Sequence, residues 1–150
     1  MKMKNKTQTN AMKLTLPAVS VNEGVARSLV GAFCSQLDPT IEELADIKCS
    51  VSEAVTNCIV HGYRNLGGTI YIQVTLFSDR SLKIDVRDKG CGIEDVDMAR
   101  TPLFTTDSSG ERSGMGFSVM ESFMDSLRVT SKPGKGTRVV MTKQIASRTN

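Results

Sequence analysis

Three short polar motifs interrupt otherwise apolar stretches, and their order constrains the fold of this chain more than any other feature. In chain order they are Glu53-Ala-Val-Thr-Asn57, Asp88-Lys-Gly90-Cys-Gly92 and Gly110-Glu-Arg-Ser-Gly114-Met-Gly116. Together they supply a carboxylate and an amide one helical turn apart, an acidic side chain after a strand, and two loops in which glycine lets the backbone approach a ligand. The combination predicts a site for a magnesium-bound nucleotide, although each motif alone is also typical of an ordinary helix face or turn.

The first motif lies on a predicted amphipathic helix. At about 100° per residue, Glu53 and Asn57 project together, away from the side on which the apolar positions cluster. Mg²⁺ takes few protein oxygens and keeps water and phosphate ligands. Asn57 is therefore a candidate metal ligand and Glu53 a candidate base, and the alternative for the pair is a solvated polar face.

The second and third motifs each have two interpretations. Asp88 either ends a strand at a simple turn or accepts a hydrogen bond from the exocyclic amino group of a base, with Gly90 and Gly92 bordering that base. Gly114-Met-Gly116 either leads into a helix or presents free helix N-terminal amides to phosphate. The chain has no G-x-x-x-x-G-K-[ST] loop, no G-x-G-x-x-G after its first strand and no D-F-G motif. These absences exclude the commoner nucleotide-binding schemes.

Hydrophobic periodicity predicts one domain in the 150 residues. A capping box, Ser20-Val-Asn-Glu23, is expected to open the first helix, and Asp38-Pro39 the second. The predicted elements are strand 13–18, helices 20–37 and 38–63, hairpin strands 70–76 and 82–86, a short helix 94–100, a lid 101–113, a helix from 116 to about 126, and strands 127–131 and 137–142. The expected fold is α+β, a two-layer α/β sandwich whose mixed, mostly antiparallel sheet is covered by helices on one face. The expected domain is residues 12–145, between a flexible basic arm (1–11) and a flexible tail (146–150).

Composition narrows the function classes. The formal charge of +3 comes from an N-terminal segment with four lysines and no acid within its first 13 residues, and aromatic residues make up 5% of the chain with no Trp. The folded body therefore lacks the pattern of a nucleic-acid interface. No apolar run reaches the roughly 18 residues of a membrane helix, and no signal peptide is evident, so a cytoplasmic location is expected. The four cysteines show no C-x-x-C spacing and there is one His, which argues against zinc.

The three motifs resemble the N, G1 and G2 boxes of the GHKL (Bergerat) ATPase superfamily, which contains gyrase, Hsp90, histidine kinases and MutL. Within it, three stretches resemble the anti-sigma kinases of sporulation and, more distantly, those of general stress. They are Ser52–Tyr63, Pro102-Leu-Phe-Thr-Thr106 and Glu111-Arg-Ser-Gly-Met-Gly-Phe117. The similarity covers about residues 12–143.

The resemblance implies a role for each matching position. Glu53 would be the catalytic base, Asn57 the Mg²⁺ ligand, and Arg112 a lid residue that approaches the γ-phosphate. Asp88 would contact the adenine amino group. Other positions that would hold ATP or ADP are Gly90, Gly92, Thr105, Thr106, Ser113, Gly114, Met115, Gly116 and Thr137. Arg27 would contact protein partners, and the alternative for it is an i,i+4 ion pair with Glu23.

The resemblance also implies a function. The chain would bind and inhibit a sporulation sigma factor in an ATP-dependent manner, as a homodimer, and would be a protein serine/threonine kinase that phosphorylates a serine of an anti-anti-sigma antagonist. The alternatives are a general-stress-type kinase, a nucleotide-gated sigma-binding module without phosphotransfer, the catalytic domain of a histidine kinase, and a gyrase-type ATPase. One departure concerns the lid, where Asp107-Ser-Ser-Gly110 replaces the family's Lys-Pro and so changes its charge.

Overall fold

The computed structural model describes residues 6–101 and 116–146. Its strands are β1 (Gln8–Pro17), β2 (Thr69–Phe77), β3 (Ser81–Asp88), β4 (Ser126–Lys132) and β5 (Gly136–Gln144). Its helices are α1 (Val21–Cys34), α2 (Ile41–Thr56), α3 (Val96–Ala99) and α4 (Gly116–Phe123). A 3₁₀ turn, Ser35–Leu37, follows α1, and a π-helical turn, Asn57–Gly62, continues α2.

The five strands form one sheet in the order β1-β2-β3-β5-β4. All four described pairings are antiparallel, with Ile72 opposite Val86 and Asp88 opposite Thr137. The predicted two-layer α+β architecture is confirmed, and the mixed sheet is corrected to an antiparallel one in this part of the chain. For two of the four pairings the reason is connectivity, since tight turns join β2 to β3 and β4 to β5 and permit only antiparallel neighbours.

One face of the sheet packs against the helices and the other faces outward. Strand alternation places the apolar side chains of β2 and β3 on the covered face, as the period of two predicts. The core also includes residues from α1, α2 and α4, which are Ala26, Val30, Cys34, Ile47, Val51, Ala54, Val55, Phe117 and Met120. The open face carries polar and basic side chains, as expected for the solvated side of an antiparallel sheet. Among the described residues, no helix has the length and apolarity needed to cross a membrane.

The N-terminal arm predicted for residues 1–11 is wrong for residues 8–11, because β1 begins at Gln8. Asn10 lies opposite Leu76 and Ala11 opposite Thr75. Their side chains are exposed, so no hydrophobic alternation marked them as a strand. Backbone hydrogen bonds to β2 place residues 8–11 in the edge strand. These bonds do not depend on the side chains, so the sequence contains no pattern that predicts them.

The capping box predicted at Ser20–Glu23 is also wrong. Ser20 has helical dihedrals and its side chain makes no capping hydrogen bond, and the Glu23 carboxylate pairs with Arg27. The capping box forms one helix later. There the Thr40 hydroxyl accepts from the Glu43 N–H at 3.0 Å, and the Glu43 carboxylate accepts from the Thr40 N–H at 2.9 Å. The second helix therefore begins after Thr40 rather than at Asp38-Pro39.

Candidate functional site

A large cavity opens between the end of α2, the end of β3 and the start of α4. Its volume is about 830 Å³, within the range of small-molecule sites. Its walls come from every one of these segments, and the predicted site residues among its lining are Asn57, Asp88, Gly92, Gly116 and Thr137. The structure therefore brings together five predicted residues that span 80 positions of the chain.

Among the described residues that line the cavity, Asp88 is the one buried acid, with 4% of the residue exposed. Burial raises the pKa of its carboxyl, against hydrogen bonds from the Gly90 N–H, the Cys58 thiol and the Thr137 backbone N–H, which act to lower that pKa. The bond from Gly90 to Oδ1 is 2.9 Å long. Burial also raises the pKa of the Cys58 thiol well above its usual range, so Cys58 is neutral when it donates to Asp88. The site thus holds a fixed acceptor that faces the cavity.

The loop after Asp88 lies directly on the π-helical turn. The Cys91 N–H donates to the Gly62 carbonyl at 2.9 Å, and a Cβ on Gly90 would lie 2.1 Å from that carbonyl oxygen. Gly90 therefore does not line the cavity itself; it allows the loop to approach the turn. Turns of the π type occur often at functional sites, and this one follows the residue at which α2 reaches the cavity.

Glu53 and Asn57 meet at the start of α4. A Cβ on Gly116 would lie 3.2 Å from Glu53 Oε2 and 3.2 Å from Asn57 Nδ2. The prediction that these two side chains project together is confirmed. A Cβ at Gly116 would crowd both side chains, so the glycine lets the start of α4 pack closely against Glu53 and Asn57.

Glu53 does not line the main cavity. It lies in a second, smaller cleft of about 350 Å³ between α1 and α2, whose lining includes Ser20, Glu23 and Ser52. Val60 lines both spaces. Glu53 thus lines the second cleft while its carboxylate lies next to Gly116, which lines the main cavity.

Arg27 lies beside this second cleft. Its guanidinium donates to Glu23 Oε1 at 2.6 Å and to Ser52 Oγ at 3.3 Å. The ion pair with Glu23 is the alternative considered for this residue, and it is present. The pair is partly exposed and contributes only tenths of a kcal/mol to about 1 kcal/mol, so it leaves Arg27 able to exchange partners.

Ser131 contributes to the site but is not marked by any motif. The Ser131 hydroxyl donates to the Gly136 carbonyl at 2.8 Å, accepts from the Ile93 N–H at 2.8 Å and lies 2.9 Å from the Thr137 hydroxyl. It therefore joins the end of the glycine-rich loop to the β4–β5 turn. The only feature of the sequence that could have indicated this role is the position of Ser131 on the covered side of β4. A serine in an alternating strand does not by itself predict a functional site.

Six predicted site residues lie outside the described residues. They are Thr105, Thr106, Arg112, Ser113, Gly114 and Met115. The lid departure at Asp107–Gly110 lies there too.

Gly92 offers a direct test of how closely the loop packs. Its φ is +75°, and a Cβ would lie 2.1 Å from the Lys132 carbonyl oxygen, whereas Gly134 has φ +76° and open space at the same position. We expect Gly134→Ala to cost about 1 kcal/mol of unfolding free energy for the left-handed backbone alone. Gly92→Ala should cost about 1–3 kcal/mol more, because the backbone must move. Urea unfolding of both variants measures the difference, and equal losses would contradict the packing described for the loop.

Comparison with known proteins gives consistent results. Residues 16–143 match the family model described as the histidine kinase-like ATPase domain. The chain is 58% identical over 139 residues to the anti-sigma F factor of Thermoanaerobacter sp. (strain X514), covering 93% of this chain and 96% of that protein. It is 53% identical to the anti-sigma F factor of Clostridium acetobutylicum (91% and 95% covered) and 51% identical to that of Bacillus licheniformis (91% and 94% covered).

Among solved structures, the fold is similar to the crystal structure of the RsbU and RsbW domains of Rv1364c from Mycobacterium tuberculosis. The TM-score is 0.66 at 20% sequence identity. The match covers 93% of this chain and 34% of that longer one. At this identity the similarity establishes the fold alone, which agrees with the α+β sandwich described above.

Proposed function

Because the chain belongs to the histidine kinase-like ATPase domain family and, within it, to the anti-sigma F factors, we propose that it is an ATP-dependent inhibitor of a sporulation sigma factor that also phosphorylates its own antagonist. In this proposal ATP occupies the main cavity, and a serine of an anti-anti-sigma protein is the phosphoryl acceptor. The observation that carries it is the placement of Glu53 and Asn57 around Gly116, with Asn57 lining the main cavity and Glu53 the second cleft.

The main cavity suits an adenine nucleotide. Asp88 would accept the exocyclic amino group, Gly92 and Thr137 would border the base, and the phosphates would lie toward Asn57 and Gly116 at the start of α4. Asn57, which lines the cavity, would hold Mg²⁺ through its amide oxygen. When bound, Mg²⁺ would neutralise phosphate charge during transfer. Ser113, Gly114, Met115, Thr105, Thr106 and Arg112 would complete the phosphate side.

The second cleft suits the acceptor. A serine entering between α1 and α2 would reach Glu53 through this cleft, next to Gly116 of the main cavity. Its oxygen would form the new bond to the γ-phosphorus as the bond to ADP breaks, and its proton would pass to the Glu53 carboxylate. The products are ADP and a phosphoserine protein. The added charge of about −2 would then favour release from a surface that fitted the neutral side chain.

The first helix offers a surface for protein partners. Val21, Val25 and Leu29 form an exposed apolar stripe on its outer side, with Val21 73% exposed, and Arg27 lies toward the cleft. Contiguous exposed apolar patches often mark surfaces that bind other proteins. The proposal includes sigma factor and antagonist as alternating partners of this region, a homodimer as the active form, and the cytoplasm, where sigma factors act, as the location.

Incubation with [γ-³²P]ATP, Mg²⁺ and the cognate anti-anti-sigma protein tests the proposal. We expect label on one serine of that protein, and we expect the sigma factor to be retained on the immobilised chain in ATP more strongly than in ADP. Retention of sigma factor without label transfer would contradict the kinase and leave a nucleotide-gated binding module. Light scattering in ATP tests the dimer.

A further inference from the structure

Tyr63 connects three segments at the base end of the main cavity. We propose that Tyr63 is a positioning residue for the nucleotide, because its hydroxyl holds the glycine-rich loop of Asp88–Gly92 in the conformation that receives the base. Tyr63 ends the stretch Ser52–Tyr63 that resembles the family, but the resemblance assigns it no role. The inference rests on the nucleotide site of the proposed function and concerns how that site is kept in place.

The Tyr63 hydroxyl uses both of its main hydrogen-bonding capacities. It donates to the carbonyl of Thr69, the first residue of β2, at 2.6 Å. It accepts from the N–H of Lys89, the residue after Asp88, at 2.7 Å. One phenol therefore ties the end of the π-helical turn to the start of β2 and to the start of the loop, three segments that share no ladder hydrogen bonds at this point.

The connection closes a strained segment. Arg64 and Asn65 follow Tyr63 with φ of 53° and 60°, left-handed conformations that cost free energy in residues other than glycine, and both line the main cavity. Such conformations persist only where the surroundings hold them. Here the Asn65 N–H donates to the Ile59 carbonyl at 2.9 Å, and the Tyr63 hydroxyl reaches Thr69 across the segment.

The same hydroxyl controls the donor that fixes Asp88. Lys89 lies between Asp88 and Gly90, whose N–H donates to Asp88 Oδ1. Two further hydrogen bonds, both from Cys91, join the loop to the π-helical turn: the Cys91 N–H donates to the Gly62 carbonyl and the Cys91 thiol to the His61 carbonyl. Loss of the Tyr63 hydroxyl would leave the Lys89 N–H without this acceptor and would remove the attachment nearest to Asp88, so the base pocket would become less preorganised.

Tyr63→Phe tests the role with the ring retained. We expect the Kd values of ATP and ADP, measured by calorimetry well below the melting temperature, to rise together by about tenfold, which corresponds to 1.4 kcal/mol. The two values should change equally because the loop borders the base and not the γ-phosphate. In the phosphotransfer assay, KM for ATP should rise and kcat should stay within about twofold.

The chain contains one other tyrosine, which provides a matched control. Tyr71 lies on the open face of β2, where its ring contacts Arg87 and Lys89 side chains at 5.2 and 5.0 Å from the ring centroid. Tyr71→Phe removes the same hydroxyl group and keeps these ring contacts. We expect unchanged nucleotide affinity for this variant.

A second variant moves the ring without removing the hydroxyl. A Cβ on Gly68 would lie 2.4 Å from Cε1 of the Tyr63 ring, so Gly68→Ala should displace the ring and weaken ADP binding in the same direction. The double variant should lose less affinity than the two single losses combined, because both act through one contact.

Unchanged ADP affinity in Tyr63→Phe, with or without a lower melting temperature, would overturn the inference. If that variant does not fold, unchanged ADP affinity in Gly68→Ala would do so. Failure of the unmodified chain to bind ADP would instead overturn the proposed nucleotide site.

Discussion

Glu53→Gln should reduce the rate of phosphotransfer to the antagonist by about 10²–10⁴-fold, the usual contribution of a positioned general base. The amide keeps the size of the side chain and its place beside Gly116 but cannot accept the serine proton. Affinity for ATP should stay the same or increase, because a negative charge beside the phosphates is removed. Single-turnover transfer of label at saturating ATP, together with calorimetric ATP binding, separates the two effects.

Glu42→Gln is the matched control for this variant. Glu42 is exposed in the first turn of the same helix, about 16 Å from Glu53 at 1.5 Å per residue. Its loss should change helix stability by tenths of a kcal/mol and leave transfer unchanged. Transfer by Glu53→Gln at the unmodified rate would show that Glu53 is not the base and would remove the mechanistic part of the proposal.

Asp88→Asn should weaken ATP binding by about 10- to 100-fold. The carboxylate accepts hydrogen bonds from Gly90, Cys58 and Thr137 while remaining buried, and an amide replaces one of its two acceptor oxygens with a donor. Hydrogen bonds to a charged group contribute about 1.5–3 kcal/mol, which sets the expected range. Asp85→Asn, three residues earlier on β3 and paired with Arg138, changes the same chemistry away from the cavity and should leave ATP binding intact.

The raised pKa of Asp88 also predicts the pH dependence of binding. Because burial raises the pKa of this carboxyl, Asp88 should take up its proton at a higher pH than an exposed aspartate, for which the pKa is about 3.9. ATP affinity should therefore fall as the pH decreases through the raised value, and Asp88→Asn should lack that step. Identical pH profiles for the two proteins would contradict the assignment of Asp88 as the base acceptor.

The stability of the nucleotide-free protein should change in the opposite direction. In the interval between the unfolded pKa and the raised folded pKa, the folded chain binds more protons at Asp88 than the unfolded chain does. The Asp88 contribution to unfolding free energy therefore increases as the pH falls through the folded pKa and is constant below the unfolded one. Denaturant unfolding at several pH values, compared between the unmodified protein and Asp88→Asn, isolates this contribution.

Local sequence patterns correctly predicted the features that depend only on the geometry of a single strand or helix. The period-two alternation of β2 and β3 placed the hairpin correctly, and the helical period placed Glu53 and Asn57 on one side of α2. Both follow from fixed backbone geometry, in which residues two apart on a strand or four apart on a helix share a face. The wrong capping prediction shows that equivalent local signals can have different outcomes. Ser20–Glu23 and Thr40–Glu43 are both capping-box sequences, but only the second forms the box, while Glu23 pairs with Arg27.

The sequence by itself determined the order of the elements and the amphipathic helix that carries Glu53 and Asn57. It also predicted that Asp88, Gly92, Gly116 and Thr137 are residues of one nucleotide site. Tertiary structure alone decided how these residues are held. The approach of Gly90 to the Gly62 carbonyl, the two hydrogen bonds of Tyr63 and the position of Glu53 next to Gly116 join residues distant along the chain or from separate elements. Such contacts depend on where whole elements pack, and the free energy of that packing is shared by the entire core, so no single stretch of sequence encodes them.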